Sequence, residues 1–375
     1  MPSLVGRRQL PVEGAPARTA AQSSRWRWRD EWSCTVADRL AGRDNNFGLM
    51  RFLAASLVVL SHSFALTGHW RDEPLSRLIG ILDFGTAAVI AFFVISGFLV
   101  TRSAFLSATL MRYVRARLLR IWPALILTAV VTALLLGAIA TALPLREYFR
   151  DPDTWLYATL VPLLDVGRLL PGVFVANPFG RGVNGSLWTI QVEAWLYLVL
   201  GCLMIGRVTR HPLPFNAFLV LGLLAYVFFP EQVLAWIPRH DEYMTPRFIG
   251  CFMLGAAMYV NARFVPLSFL ACGVLIAVTI ACAGTWAFGA LFYVTFSYCV
   301  LLLALHPRLQ VAWWNDRVDY SYGIYVFAFP IQQTLVSLME PPRPIVFFLI
   351  CYPIIVAVAA ASWHFVESRA LALKG

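Results

Sequence analysis

Apolar runs of near-spanning length, each closed by Pro, Gly or charge, recur ten times along this chain and predict an all-α protein. They fall near 47–67, 78–101, 119–142, 187–206, 213–230, 246–261, 265–284, 286–305, 319–339 and 344–366. A helix needs about 20 apolar residues to cross the hydrocarbon core, so each run is a candidate transmembrane helix. Between the third and fourth runs, residues 143–186 hold only a moderately apolar segment, 155–170, broken by Pro162 and Asp165. It is expected to be partly buried or re-entrant; if it crossed, every later loop would change sides. Only Gly284 and Thr285 separate the seventh and eighth runs. The pattern carries no heptad, solenoid or low-complexity repeat and no inverted two-half symmetry.

Composition turns ten apolar helices into a polytopic membrane protein. Hydrophobic residues make up 59% of the 375 and charged residues 13%, with a mean hydropathy of +0.70, more than one soluble core needs. The expected organisation is an Arg-rich, disordered or membrane-surface tail over 1–44, a transmembrane domain over 45–370 and a short C-terminus over 371–375. The tail has no apolar stretch of the kind a signal peptide carries.

The net charge of +10 comes almost wholly from arginine, since Lys374 is the only lysine. With the N-terminus inside, twenty of the thirty basic residues fall on the inner side and nine on the outer, with Arg51 inside the first run. That bias predicts that both termini are cytoplasmic. No basic surface interleaved with aromatics points to nucleic acid. The seven cysteines show no CxxC spacing and lie mostly in apolar runs, where they serve as small apolar fillers. No grouping of His, Asp or Glu has ligand spacing, so no metal is implied.

Arg51 and His62 are the chemistry-bearing residues of the first run. Eleven residues at about 100° each return to within about 20° of the starting direction and climb roughly 16 Å, so both face one way. Ionisable groups in hydrocarbon cost a few kcal/mol and default to function. The plainer alternative is that Arg51 snorkels to the headgroups and His62 is a packing residue. In the second run, Ser96-Gly97 lets backbone approach a neighbouring helix or a ligand. Before the third, Arg112, Arg115, Arg117 and Arg120 crowd into nine residues. Arg117 and Arg120, at i and i+3, can grip one anionic group, although a positive-inside anchor also accounts for them.

Glu193 sits a turn or two into the fourth run, where a carboxylate is protonated or paired; His62, Arg51 or an acceptor hydroxyl are its candidate partners. The cluster Asp319 to Tyr325 fits an interfacial aromatic belt, and Asp83 and Glu367 sit at run ends where each can remain solvated. Together these residues suggest an arginine cluster for the phosphates of a nucleotide donor and a histidine to accept a hydroxyl proton. The separation of Arg51 and His62 is comparable to the reach of a pantetheine arm.

At these positions the chain resembles the membrane-bound acyltransferase-3 family. The resemblance is carried by Arg51 and His62 in the first run, FFVISGF at 92–98, RLLRIWP at 117–123, SLWTIQVEAWLY at 186–197, SYGIY at 321–325 and HFVE at 364–367, in the family's order over about 45–370. It implies a multi-helix enzyme moving an acyl group, most often acetyl from cytoplasmic acetyl-CoA, onto a glycan or glycolipid. It further implies His62 as catalytic histidine with Arg51 its partner, Arg117 and Arg120 on the donor side, and Glu193 at the family's acidic position. Two departures stand out. Val326 to Pro330 offer no second histidine after SYGIY, and no esterase-like domain follows before Gly375.

The reading is therefore an O-acyltransferase of a bacterial inner membrane, with acyl-CoA as co-substrate and no tightly bound cofactor. Its acceptor is a hydroxyl of a cell-surface or lipid-linked glycan. His62 is the expected general base or, failing that, a transient acyl carrier; Arg51 orients, Glu193 relays the proton, Arg117 and Arg120 hold CoA phosphates, and Ser96 forms part of the wall. The rival is a transporter or flippase for a sugar or anion, with the buried charges as its relay.

Overall fold

A computed structural model of the chain describes residues 34–374 apart from Ala41, Arg43, 238–240, Glu242, Ala312 and 315–317. All ten apolar runs form helices: α1 (Phe47–Leu66), α2 (Phe84–Leu106), α3 (Leu110–Ala140), α4 (Trp188–Ile205), α5 (Pro212–Phe228), α6 (Thr245–Val260), α7 (Phe269–Ala281), α8 (Phe288–Leu305), α9 (Ser321–Leu338) and α10 (Pro344–Ala372). Among the described residues there is no strand, only two isolated bridges. By length and composition α1, α2, α3, α4, α8 and α10 can each cross a membrane, whereas α5 and α7 are shorter apolar helices. Residues 1–33, the larger part of the tail expected over 1–44, lie outside the described residues. Residues 34–40 are anchored: Val36 is fully buried and its N–H donates to Val265 O at 2.9 Å.

Two helix starts lie six and nine residues from the sequence expectation, the largest shifts, and capping explains both. Residues 78 and 79 belong to a separate short helix, Pro74–Ile79, which ends at Gly80 in the left-handed region (φ 66°). The chain then restarts where Asp83 Oδ1 accepts the Thr86 N–H at 2.7 Å, fixing the first turn of α2. The third helix begins nine residues earlier than expected, because Thr109 Oγ1 caps the Arg112 N–H at 3.2 Å. The arginine cluster is therefore helical and is held on the first turns of α3.

The starts of α1, α3 and α9 meet the end of α10 at one end of the bundle. At the other end α3 finishes, and residues 143–187 fold back over that same end through the short helices Leu145–Arg150 and Pro152–Leu160, neither long enough to cross. Thr141 bridges Val173, and Gln191 on α4 donates to Leu164 O at 3.0 Å, so the excursion returns where it began. This is the partly buried, re-entrant arrangement expected of 155–170: Tyr157, Val161 and Pro162 are buried.

The axis of the bundle is α9, buried from Ser321 through Thr334. Pro330 cannot donate to the Val326 carbonyl four residues back, and Asn184 Nδ2 takes over that carbonyl at 2.9 Å. Farther along, Gln332 donates to Val59 O and Ser63 Oγ on α1, and Gln333 to the carbonyls of Gly180 and Gly182. These bonds let a polar helix sit at the centre of an apolar bundle.

The closest helix pair is α2 and α6, which interlock through two glycines. A Cβ at Gly97 would lie 2.0 Å from Phe252 O, and one at Gly255 would lie 2.1 Å from Val94 O. Backbones at that distance gain packing contacts that lipid cannot supply. Gly97 thus makes the close approach expected of Ser96-Gly97. Gly97→Ala and Gly255→Ala are each expected to push the helices apart and cost about 1–3 kcal/mol, the usual penalty of overpacking. A lowered unfolding temperature of the purified protein in detergent would register it, while Gly250→Ala, with nothing within 4 Å, leaves the temperature unchanged.

Candidate active site

A cavity of about 320 Å³ lies between α2, α3, α4 and α9. Five of the six site residues singled out in the sequence line it: Arg51, Ser96, Arg117, Arg120 and Glu193. The sixth, His62, does not.

The cationic end is organised by Asp319, the residue two before α9. Its Oδ2 receives Arg120 Nη2 at 2.8 Å and Arg51 Nη2 at 3.2 Å, tying α1, α3 and the start of α9 to one carboxylate. Burial alone raises the Asp319 carboxyl, but the two guanidiniums, together with the Ser321 hydroxyl and N–H, outweigh it and hold the group below the ordinary carboxylate range. Arg51 therefore answers to Asp319 rather than to His62. Arg120 also lies over the Tyr322 ring at 5.5 Å, and the Tyr322 hydroxyl donates to Ile121 O at 3.0 Å. The SYGIY segment is buried in the bundle, which corrects its reading as an interfacial belt: Tyr325 instead bonds Thr189 Oγ1 at 2.5 Å and Ser186 O at 3.2 Å.

Arg117, one turn before Arg120, has no carboxylate partner among the described residues. Its guanidinium lies 5.5 Å from the Tyr197 ring centre, and its Nε is buried without a hydrogen bond. The two arginines thus differ: Arg120 is already engaged by Asp319, while Arg117 is free to engage a ligand. Lys374, brought in by the end of α10, lines the same end. Burial, then Arg117, Arg120 and Arg51, push its ammonium down to about 8. Behind this end α10 passes through a π-helical turn over Trp363–Glu367, which turns Glu367 inward. Glu367 is 2% exposed and accepts the Ser362 hydroxyl at 2.8 Å, so it is buried and not solvated as its place near a helix end had suggested.

Deeper in the cavity, Glu193 Oε1 accepts both Ser96 Oγ at 2.6 Å and Tyr197 OH at 2.5 Å. The partners of this partly buried carboxylate are protein hydroxyls, neither His62 nor Arg51. Ser96 is unusual for a mid-helix serine. Ser56, Ser63 and Thr334 all return their hydroxyl protons to the carbonyl four residues back, whereas Ser96 commits its proton to a carboxylate on another helix.

The cavity ends toward Phe92 and Tyr325, whose rings meet edge to face at 5.7 Å. One turn further along α9, Phe329 meets the His62 ring at 5.2 Å, and Phe179 from the 165–187 loop packs on the other side of Phe329. His62 Nδ1 is buried with no hydrogen-bond partner. His62 therefore lies outside the cavity that the arginines line, against Phe329.

Residues 44–364 match the acyltransferase domain family. The chain belongs to the membrane-bound acyltransferase-3 family. It is 27% identical over 349 residues to a protein named O-acetyl transferase from Shigella phage Sf6, an alignment covering 88% of this chain and 96% of that one. It is 28% identical over 364 residues to Nodulation protein 10 of Rhizobium leguminosarum bv. viciae, covering 89% and 95%. No solved structure matches it. As a member of this family the protein is an O-acyltransferase of a membrane, and it therefore has an acyl donor and an acceptor. The transporter reading gives way to that finding.

Sequence reasoning did not assign Asp319, Tyr197, Tyr322 or Lys374 to the site. Tyr197 was within reach of it, since it follows Glu193 by one helical turn. The Arg51–Asp319 and Arg120–Asp319 pairs join residues about 200 or more positions apart, beyond any periodic signal. Asp319→Asn is expected to strand two part-buried guanidiniums and cost on the order of 3 kcal/mol. Because folding depresses the Asp319 carboxyl, its contribution is complete above its unfolded pKa near about 4 and fades as pH falls below it. Unfolding temperatures at pH 7 and pH 3 should therefore differ less in Asp319→Asn than in the wild type.

Proposed function

We propose that this acyltransferase takes an acyl group, acetyl in the first instance, from a cytoplasmic acyl-CoA and passes it to a hydroxyl of a cell-surface or lipid-linked glycan. The observation that carries this is the polarity of the cavity. Its mouth holds four cations, Arg51, Arg117, Arg120 and Lys374, with the carboxylate Asp319 between two of them, while its interior holds the neutral hydroxyls and one further carboxylate of the Ser96–Glu193–Tyr197 cluster among largely apolar walls. A nucleotide thioester has the same polarity, with phosphates at one end and a neutral acyl thioester at the other.

In this reading Arg117 binds phosphate directly, and Asp319 holds Arg51 and Arg120 in place so that their remaining donors face the ligand. The pantetheine arm runs inward, and the thioester carbonyl comes to rest at the Ser96–Glu193 level. The acceptor approaches from the far side, under the 165–187 loop, where His62 takes the proton of the attacking hydroxyl. The oxygen attacks the thioester carbonyl, the C–S bond breaks, and the thiolate leaves as CoA, taking up a proton. For this the aromatic layer of Phe92, Tyr325 and Phe329 must part, which would expel water from the thioester until an acceptor is present. The bilayer is a bacterial inner membrane in this reading, with the cationic end and both termini at the cytoplasmic face and about ten crossings; the inward-weighted arginines support that orientation. The printed name of the phage relative supports acetyl, and the motif resemblance supports a glycan acceptor.

Two outcomes test the proposal. Membranes carrying the protein should release CoA from acetyl-CoA only when an extract of glycan acceptor is added, and His62→Gln should abolish that release. Arg117→Ala should raise KM for acetyl-CoA about 10- to 100-fold, the loss of one charge-assisted contact of roughly 1.5–3 kcal/mol, with a smaller effect on kcat. Movement of a solute without thioester consumption, or an Arg117→Ala enzyme with unchanged KM, would contradict it.

A further inference from the structure

We propose that Lys374 is a phosphate-binding residue of this cavity and that, with Arg117, it makes the site selective for a nucleotide-bearing thiol over the bare pantetheine arm. The inference rests on the acyl-CoA reading above and adds a residue and a specificity to it.

The argument begins with charge. Arg51 and Arg120 share one carboxylate, Asp319, at 3.2 and 2.8 Å. Arg117 and Lys374 have no ion pair among the described residues. Glu367 acts on Arg120 from behind but does not line the cavity. Four cations thus line one cavity with two carboxylates, Asp319 among them and Glu193 bonded to Ser96 and Tyr197 farther in, an excess of positive groups that repels itself unless an anion enters. Lys374 lines the same cavity as the three guanidiniums, and its ammonium is pushed down first by burial and then by those charges. A surface lysine serving only as a membrane anchor would turn away from them on its flexible stem.

The two unpaired cations differ in kind. Arg117 is braced on the Tyr197 ring with its Nε buried and unsatisfied, a fixed planar donor. Lys374 is a compact point charge at the end of a helix, able to follow a phosphate that moves as the arm slides inward. The ligand class that supplies the missing charge is one with a pyrophosphate and a further phosphomonoester, spread over more than one anionic group. A single carboxylate would leave part of the excess unbalanced.

The test uses the full chain in lipid nanodiscs and measures equilibrium binding of CoA, 3′-dephospho-CoA and pantetheine, so no acceptor need be known. Lys374→Ala is expected to weaken CoA about tenfold while leaving pantetheine unchanged, and Lys374→Arg to restore CoA to within about twofold. If the penalty disappears with 3′-dephospho-CoA, Lys374 holds the 3′-phosphate; if it persists, Lys374 holds the pyrophosphate. Either result supports the proposal. Equal binding of CoA by wild type and Lys374→Ala, or an equal loss for pantetheine, overturns it while leaving the donor reading intact. Wild-type protein that binds CoA no better than pantetheine overturns both. An unchanged unfolding temperature in Lys374→Ala guards against a structural cause.

Discussion

One carboxylate holds the cationic end of the bundle together. Asp319 is bonded at once by Arg51 from α1 and Arg120 from α3, and its other oxygen takes the Ser321 hydroxyl and N–H at the start of α9. Buried cations repel one another and would splay these helices or draw water between them. With Asp319 in place, two of the four become a rigid floor and the other two remain available. The cavity can be strongly cationic because part of its charge is internally compensated and the rest is left for a ligand.

The same economy governs α9. A central helix carrying Gln332, Gln333 and Pro330 would be costly in an apolar bundle if its amide donors and the carbonyl freed by Pro330 lacked partners. Asn184 satisfies the carbonyl that Pro330 leaves free, and the carbonyls of Gly180 and Gly182 receive Gln333. The 165–187 loop is thereby pinned over the end of the bundle where His62 lies, and Phe329 is pressed between Phe179 and the imidazole. The loop that supplies partners to α9 thus also contacts, through Phe179, the Phe329 ring against which His62 rests.

The helices were legible in the sequence because hydrophobic burial acts on every residue of a run, and all ten runs form helices. Their starts were less legible, since a single Asp83 or Thr109 side chain decides where backbone donors are satisfied. The placement of Arg51, Ser96, Arg117, Arg120 and Glu193 around one cavity followed from helical spacing and from the rarity of charge in apolar surroundings. Their partners did not follow. Asp319 reads as the edge of an aromatic belt until α1 and α3 are seen beside it, and Lys374 reads as one more inner positive charge. The eleven-residue step from Arg51 to His62 does set them along one direction of α1, but Phe92 and Tyr325 line the cavity while His62 rests outside it on Phe329, a feature no spacing on α1 could reveal.

The central claim is that the acyl donor lies with its phosphates at Arg117 and Lys374 and its thioester beside Ser96 and Glu193. The most direct measurement is a cryo-electron microscopy structure of the protein in lipid with a non-transferable thioether analogue of acetyl-CoA. The account predicts nucleotide density against the guanidiniums and Lys374, with the arm running along α2 to the Ser96–Glu193 pair. Nucleotide density on the His62 side of the aromatic layer, or a ligand seated outside this cavity altogether, would contradict it.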